Sequence, residues 1–248
     1  MAVNIQWKKV VKVTVLVLIV AYLIASVSAF AFKSDERICS TCYVTIEDST
    51  SLRFVSKKDV LSFLNKDGIN PLGVRASSID CAKIESNLES KSRIKKADCY
   101  MTPSGAMHLS IVQREPILRV MTSHSNYYVD RDGEVMRIAE NFAAYAPIVT
   151  GEVKESFAKH EMYEFALFLH DDPFWNAFVE QIDVNEREEL TIVPRVGNQI
   201  IRLGNLDNYE KKLEKLFQVY TNGFNKLGWN CYKEINLMYE GQVVCKKR

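Results

Sequence analysis

Ile111-Val112-Gln113-Arg114-Glu115-Pro116-Ile117-Leu118-Arg119-Val120 decides how the chain divides. Two apolar runs flank a polar break that ends in proline. Pro116 has no backbone N–H, so a central strand cannot run through it. The stretch reads as the end of one strand, a junction at Arg114-Glu115-Pro116, and a new strand over 117–121.

Upstream of the junction the order is strand, helix, helix, strand, strand. Residues 42–46 form a short β-branched and aromatic run that suits a strand. Ser56 reads as the N-cap of a helix with Val60, Leu61 and Leu64 on one face and Gly68 as its stop. A second helix starts near Asp80. Ile79 and Ile84 take the staple positions around that cap, and Cys81, Ile84 and Leu88 share a face. Residues 94–101 and 106–113 read as strands joined by the turn Thr102-Pro103-Ser104-Gly105. This order makes a small α+β unit with two helices packed on one sheet.

Downstream the chain is rich in strands. A strand over 127–129 leads into the hairpin turn Asp130-Arg131-Asp132-Gly133, and Ile148-Val149 is a short strand before Gly151. Residues 156–169 read as one amphipathic helix carrying Phe157, Met162, Phe165 and Leu169. Asp172-Pro173 reads as the N-cap and first position of another helix. Residues 178–184, 190–194 and 199–203 make a β-meander. Asp207 with Glu210 predicts a capping box, opening a helix that buries Leu213, Leu216, Phe217, Tyr220, Phe224 and Leu227 and stops at Gly228. Residues 231–239 turn at Glu240-Gly241 into a last strand over 242–245. Periodicity alone puts that hairpin inside the sheet.

The first 32 residues are of another kind. Residues 13–32, VTVLVLIVAYLIASVSAFAF, run twenty residues without a charge. A helix of that length spans a hydrocarbon core of ~30 Å. Lys8, Lys9 and Lys12 precede it and Trp7 suits the inner interface, so the N-terminus is expected inside and the bulk of the chain outside. A cleaved signal peptide is the rival reading. The apolar run exceeds the usual h-region of ~7–15 residues, which favours an uncleaved anchor. The expected layout is a cytoplasmic tail over 1–12, a membrane helix over 13–32, a linker over 33–41, and domains over 42–114 and 115–248.

Of the 248 residues 47% are hydrophobic and 25% charged, which excludes a disordered or collagen-like chain. The 32 basic residues nearly balance the 31 acidic ones, and three of the basic ones lie before residue 33. An exported part so close to neutral is a poor nucleic-acid binder. Six cysteines in a chain of this length do not make a disulfide scaffold.

Catalytic chemistry is hard to find. Cys39-x-x-Cys42 is the sharpest local motif. A nucleophilic thiol there needs a helix N-terminus to lower its pKa, and the motif is followed by a strand pattern instead. A structural pair, or two packed thiols near the membrane, is the preferred reading. Cys231 and Cys245 are candidates for a cross-strand disulfide, and Cys81 and Cys99 read as core thiols. His108, His124, His160 and His170 have no metal-ligand spacing and read as surface or structural groups. His170-Asp171-Asp172 suggests a charge pair, although a helix end followed by an N-cap explains it equally well. No phosphate loop, dinucleotide fingerprint, serine elbow or zinc-protease motif occurs in the sequence, so no cofactor or metal is expected. The expectation is a binding protein rather than an enzyme.

The junction stretch resembles the passage from POTRA to β domain in the FtsQ/DivIB family of bacterial cell-division proteins, where a V-x-x-R-x-P run is usual. Tyr127-Tyr128-Val129-Asp130-Arg131-Asp132-Gly133-Glu134-Val135 is similar to the family's YxVDxxGxVF signature. Residues 235–244, INLMYEGQVV, resemble its IDLRYxxxV strand pair. Asn236 stands for the usual Asp, Met238 for the usual Arg, and Arg137 where Pro is common. The resemblance covers nearly the whole chain. It implies an α+β protein with a single N-terminal transmembrane helix, a POTRA-like β-α-α-β-β domain, and a mixed β-sheet domain with packed helices. It also implies a non-enzymatic divisome scaffold of the cell inner membrane that binds FtsB/FtsL-type coiled-coil partners by β-augmentation. Carried over residue by residue, the contact falls on Tyr239, Gly241, Gln242, Val243, Val244 and Cys245, which puts the terminal hairpin at a sheet edge. Two other classes remain: a membrane-anchored thiol oxidoreductase using Cys39 and Cys42, and a POTRA-bearing chaperone of exported chains.

Overall fold

The computed structural model describes residues 7–35, 37–48, 52–139, 142–224, 228–229 and 231–248. Two compact units form. The first comprises Met1–Glu47, Ser56–Ser90 and Lys96–Val112; the second comprises Asp48–Val55, Lys91–Lys95 and Gln113–Arg248.

The chain opens with helix α1 (Trp7–Asp35), which extends past both ends of the uncharged run. Its stretch Val10–Ser28 has a mean hydropathy of 2.6 and none of it is buried, so the helix is long and apolar enough to cross a membrane. Then come β1 (Thr41–Ile46), α2 (Lys57–Lys66), a 3₁₀ turn at Ala76–Ser78, α3 (Cys81–Glu89), β2 (Ile94–Met101) and β3 (Ala106–Gln113). The three strands lie in the order β1-β3-β2, with β1 parallel to β3.

Local chemistry sets the helix ends. Ser56 Oγ accepts the Asp59 N–H and Asp59 Oδ2 accepts the Ser56 N–H, a reciprocal cap on α2. At the other end Ile69 N–H bonds Leu64 O and Gly68 N–H bonds Asn65 O. That double closure needs a left-handed residue after the cap, and Gly68 supplies it at φ +67°. Asp80 caps α3 through the Lys83 N–H, as expected. Leu64 of α2, Leu88 of α3 and Val44, Leu109 and Ile111 of the sheet are all buried. Each such leucine contributes roughly 1.5–3 kcal/mol.

The second unit holds β4 (Pro116–Met121), β5 (Asn126–Asp130), β6 (Val135–Met136), β7 (Ile148–Gly151), α4 (Glu155–Lys159), α5 (Glu161–Asp171), α6 (Pro173–Phe178), β8 (Val179–Val184), β9 (Leu190–Pro194), β10 (Ile200–Gly204), α7 (Tyr209–Gln218), β11 (Tyr232–Asn236) and β12 (Val244–Lys247). They make one nine-stranded sheet in the order β12-β11-β10-β9-β8-β7-β4-β5-β6. β7 runs parallel to β8, and β10 parallel to β11. Parallel neighbours need a crossover of a dozen or more residues. Helices α4 to α6 supply the first and α7 the second. Met162, Phe165 and Leu169 of α5 and Leu213 and Leu216 of α7 join Val120, Ile182, Ile192 and Ile235 in one core.

Several expectations need correction. The single helix over 156–169 is two, broken at His160 (φ −117°, ψ −90°). In one continuous helix Phe157 would lie roughly 120° around the axis from Leu169, off the buried stripe. The break lets Phe157 and Ala158 reach the core together with Met162 and Phe165. Phe178 ends α6 instead of opening the next strand. The capping box at Asp207 is absent. Asp207 accepts a hydrogen bond from the Asn205 side chain, and Asn208 caps α7 in a left-handed conformation (φ 53°) without a side-chain bond. Beyond Gln218 the helix widens into a π-helical turn at Val219–Phe224. Phe217, expected in the buried stripe, is 40% exposed and packs its ring against Phe174 and Trp175. Leu227 lies outside the described residues, and Gly228 takes φ +88°.

Tyr220, on the π turn, is buried, and its hydroxyl accepts a hydrogen bond from the buried Gln199 Nε2. Burial pushes the Tyr220 phenol up to about 12. An unfolded tyrosine titrates near ~10. The neutral form is favoured in the fold, so this stabilisation is complete below about pH 10 and is lost as pH rises through about 12. Tyr220→Phe is expected to flatten the alkaline fall in unfolding free energy, measured by urea titration at several pH values. At neutral pH it costs about 1–3 kcal/mol, because Gln199 Nε2 loses its partner. An unchanged alkaline slope would show that another group drives it.

Candidate functional site

The terminal hairpin closes one side of the nine-stranded sheet. β11 pairs in parallel with β10 (Ile201↔Ile235, Arg202↔Asn236), and Arg202 Nε meets Glu234 Oε1 at 3.1 Å across that pair. β12 pairs antiparallel with β11 (Asn236↔Val244, Ile235↔Cys245, Glu234↔Lys246). β12 is therefore the outermost strand, not an internal one. It also begins later than expected. Gln242 and Val243 belong to the turn, and the strand runs on through Lys247.

The turn is built by short-range bonds. Asn236 Oδ1 accepts the Met238 N–H at 2.9 Å. The two family positions occupied here by uncharged residues are thus tied through the backbone rather than by an ion pair. Met238 lies close over Gly204 of β10, where an added Cβ would sit 2.9 Å from Met238 Cγ. Gln242 N–H bonds Tyr239 O, and Gly241 takes φ +76°, a conformation that costs a side chain strain. Tyr239 is left 58% exposed. Val243 and Cys245 pack against the core, while Val244 and Lys246 are exposed. The six expected contact residues therefore form one continuous edge-and-turn surface with two different exposures.

A groove of about 310 Å³ runs beside the turn, lined by Tyr239, Gly241 and Gln242 on one side and Lys211, Lys212 and Lys215 of α7 on the other. Burial lowers the Lys212 pKa, with Asp207 opposing, and its Nζ donates to Asn205 O and Oδ1. Asp207 and Glu240 line the groove as well, and the chain ends in the basic run Lys246-Lys247-Arg248. The sequence reading missed the groove. The closely spaced lysines of a strongly amphipathic helix were its one signal.

The cysteine motif does not support thiol catalysis. Cys39 is buried and its thiol points at Thr41 O (3.6 Å); Cys42 lies in β1. Burial, and then Cys39, push the Cys42 thiol up, the wrong direction for a nucleophile. Cys231 cannot bridge to Cys245. Cys245 pairs with Ile235, four residues along the neighbouring strand, which puts the two more than about 10 Å apart, beyond disulfide reach. Cys81 and Cys99 are part-exposed rather than fully buried. His108 sits between the Tyr43 and Tyr100 rings, each 5.1 Å away. His160 Nδ1 lies 2.8 Å from Ser156 O. His170 faces Glu115, while Asp171 pairs with Arg131 and Asp172 caps α6. Among the described residues no group of three or more His, Cys, Asp or Glu could hold a metal ion.

One of the two edges of the first unit's sheet, β2, is occupied. The Ala97 and Cys99 N–H groups of β2 donate to Glu89 (3.1 Å) and Glu85 (2.6 Å) of α3. These are donors that an added strand would need.

The chain matches no curated protein. Residues 37–112 match the POTRA-like domain family. Residues 115–246, more than half of the chain, match the family described as FtsQ/DivIB, C-terminal related. With an N-terminal apolar helix, a β-α-α-β-β unit and a mixed sheet with packed helices in that order, the chain belongs to the FtsQ/DivIB family of cell-division proteins.

Proposed function

We propose that the protein is a non-enzymatic, membrane-anchored divisome scaffold that captures an extended segment of an FtsB/FtsL-type partner along β12. The observation that carries this reading is the outermost position of β12 beside an exposed Tyr239. Backbone pairing along a free edge gives affinity, and outward side chains give specificity. α1 serves as a single-pass anchor, with residues 1–12 in the cytoplasm and residues 33–248 outside it. The excess of Lys8, Lys9 and Lys12 on the inner side sets that orientation. The basic tail, with the lysines of α7 beside the turn, favours a partner whose strand is flanked by acidic residues. The occupied edge of β2 argues against a general chaperone of exported chains and for one defined partner on the second unit.

The test is a calorimetric titration of the full chain in detergent with the exported coiled-coil region of the FtsB/FtsL-type pair. Saturable binding is expected. Tyr239→Ala, on an exposed side chain, should leave folding intact and weaken binding about 10- to 100-fold. Wild-type affinity in that variant would remove Tyr239 from the contact, and no binding by the folded wild type would overturn the partner.

A further inference from the structure

We infer that Cys81 and Cys99 form a disulfide that fastens the start of α3 to β2. The inference rests on the reading that this unit lies outside the cytoplasm, where thiols oxidise. Both residues are thiols in the structure, and after burial it is the neighbouring Cys81 that does most to raise the Cys99 thiol's pKa, which places the two side chains beside each other. Independent bonds bring the same two elements together. Glu85, one turn after Cys81, takes the Cys99 N–H at 2.6 Å, and Glu89, a turn further, takes the Ala97 N–H at 3.1 Å. The helix face bearing Cys81, Glu85 and Glu89 thus lies along β2. Part exposure leaves both sulfurs within reach of a reagent.

The oxidant is a disulfide, R–S–S–R, of the kind an exported thiol oxidase carries. The Cys81 thiolate attacks one of its sulfurs, forming a mixed disulfide and expelling R–S⁻. Burial holds the Cys99 thiol well above its ordinary range, so it takes the second step. It loses its proton, attacks the Cys81 sulfur and releases the second R–S⁻. The two cysteine sulfurs are oxidised by two electrons, R–S–S–R is reduced to two R–SH, and the two protons pass to the leaving thiolates.

The bond closes a short loop containing most of α3 and β2, and a loop of this size restricts the unfolded chain appreciably. The experiment quenches host cells in acid, alkylates free thiols, and maps the full-length protein by mass spectrometry without reduction. A linked Cys81–Cys99 peptide is expected. Thermal unfolding of the purified full chain should show a midpoint for this unit lower by on the order of 10 °C after reduction. That shift should vanish in Cys81→Ser and Cys99→Ser and persist in Cys42→Ser. Alkylated Cys81 and Cys99, or a Cys42–Cys99 link in place of theirs, would overturn the inference. A membrane-impermeant amine reagent applied to spheroplasts separates the two failures. If the exposed Lys57 and Lys58 are labelled while Cys81 and Cys99 stay reduced, the cross-link alone falls. If they are unlabelled, the exported location falls with it.

Discussion

Proline at Val244 and proline at Cys245 are expected to have opposite effects. Successive N–H groups along a strand point to opposite edges. β11 takes one set of the β12 donors through the pairs Asn236↔Val244 and Ile235↔Cys245, and the other set faces outward. One proline therefore removes a bond inside the sheet, and its neighbour removes a donor that only a partner strand would use. Proline is tolerated where the N–H faces away from the sheet. The outward substitution should leave the unfolding midpoint of the full chain unchanged. It should weaken partner binding about 100-fold, equivalent to ~3 kcal/mol from the lost donor and the ring clash. The inward substitution should lower the midpoint yet bind within a few-fold wherever the chain remains folded. Wild-type affinity in both variants would overturn β-augmentation at β12. Loss of binding in both, with folding intact, would mean the site is read by side chains. Val244 and Lys246 would then be the first to test, since they are exposed. Binding to an acidic segment should also weaken as salt rises through the physiological range.

The features legible in the sequence were those fixed within a few residues of chain. Ser56 and Asp59, Asp80, and Asp172 with Pro173 each satisfy a helix start by local hydrogen bonds, and all three starts occur where read. The features that escaped depend on distant partners. The break at His160 follows from which side chains the sheet can bury, and a single period describes that poorly. At α7 the predicted Asp207 cap lost to an Asn205–Asp207 bond outside the helix. The position of β12 was illegible for a different reason. Periodicity reports which face of a strand is buried, not how many neighbours the strand has, so an edge strand packed on the core through Cys245 reads like an internal one. Only the resemblance placed it at the edge. Even so, the turn's length was misjudged by two residues, because Asn236 and Gly241 shape a longer loop than the hydrophobic pattern suggests.

Asp130→Ala should give the largest loss of stability, about 3–5 kcal/mol by urea or thermal unfolding. Asp130 is 1% exposed and accepts three donors: Arg114 Nη1 at 2.8 Å, the Asp132 N–H at 3.0 Å and the Glu134 N–H at 2.7 Å. Alanine strands the largely buried Arg114 charge and leaves two turn donors unmet. Against a total of ~5–15 kcal/mol for a typical domain, that is a large fraction. Asp130→Asn, which can keep one acceptor for the turn but not the charge, should fall between wild type and alanine. Adding Arg114→Met to Asp130→Ala should recover part of the loss, since the unpaired charge goes with it. A loss under about 1 kcal/mol in Asp130→Ala would show that the hairpin holds itself through Gly133 and the strand pairing. The pair also bears on how the two upstream signature segments are read. Arg114 lies in the junction run and Asp130 in the YYVDRDG run, so the two are halves of one buried ion pair. Their chemistry goes into joining β4 to the β5 hairpin, and it is the third signature, at the terminal hairpin, that includes the outermost strand of the sheet.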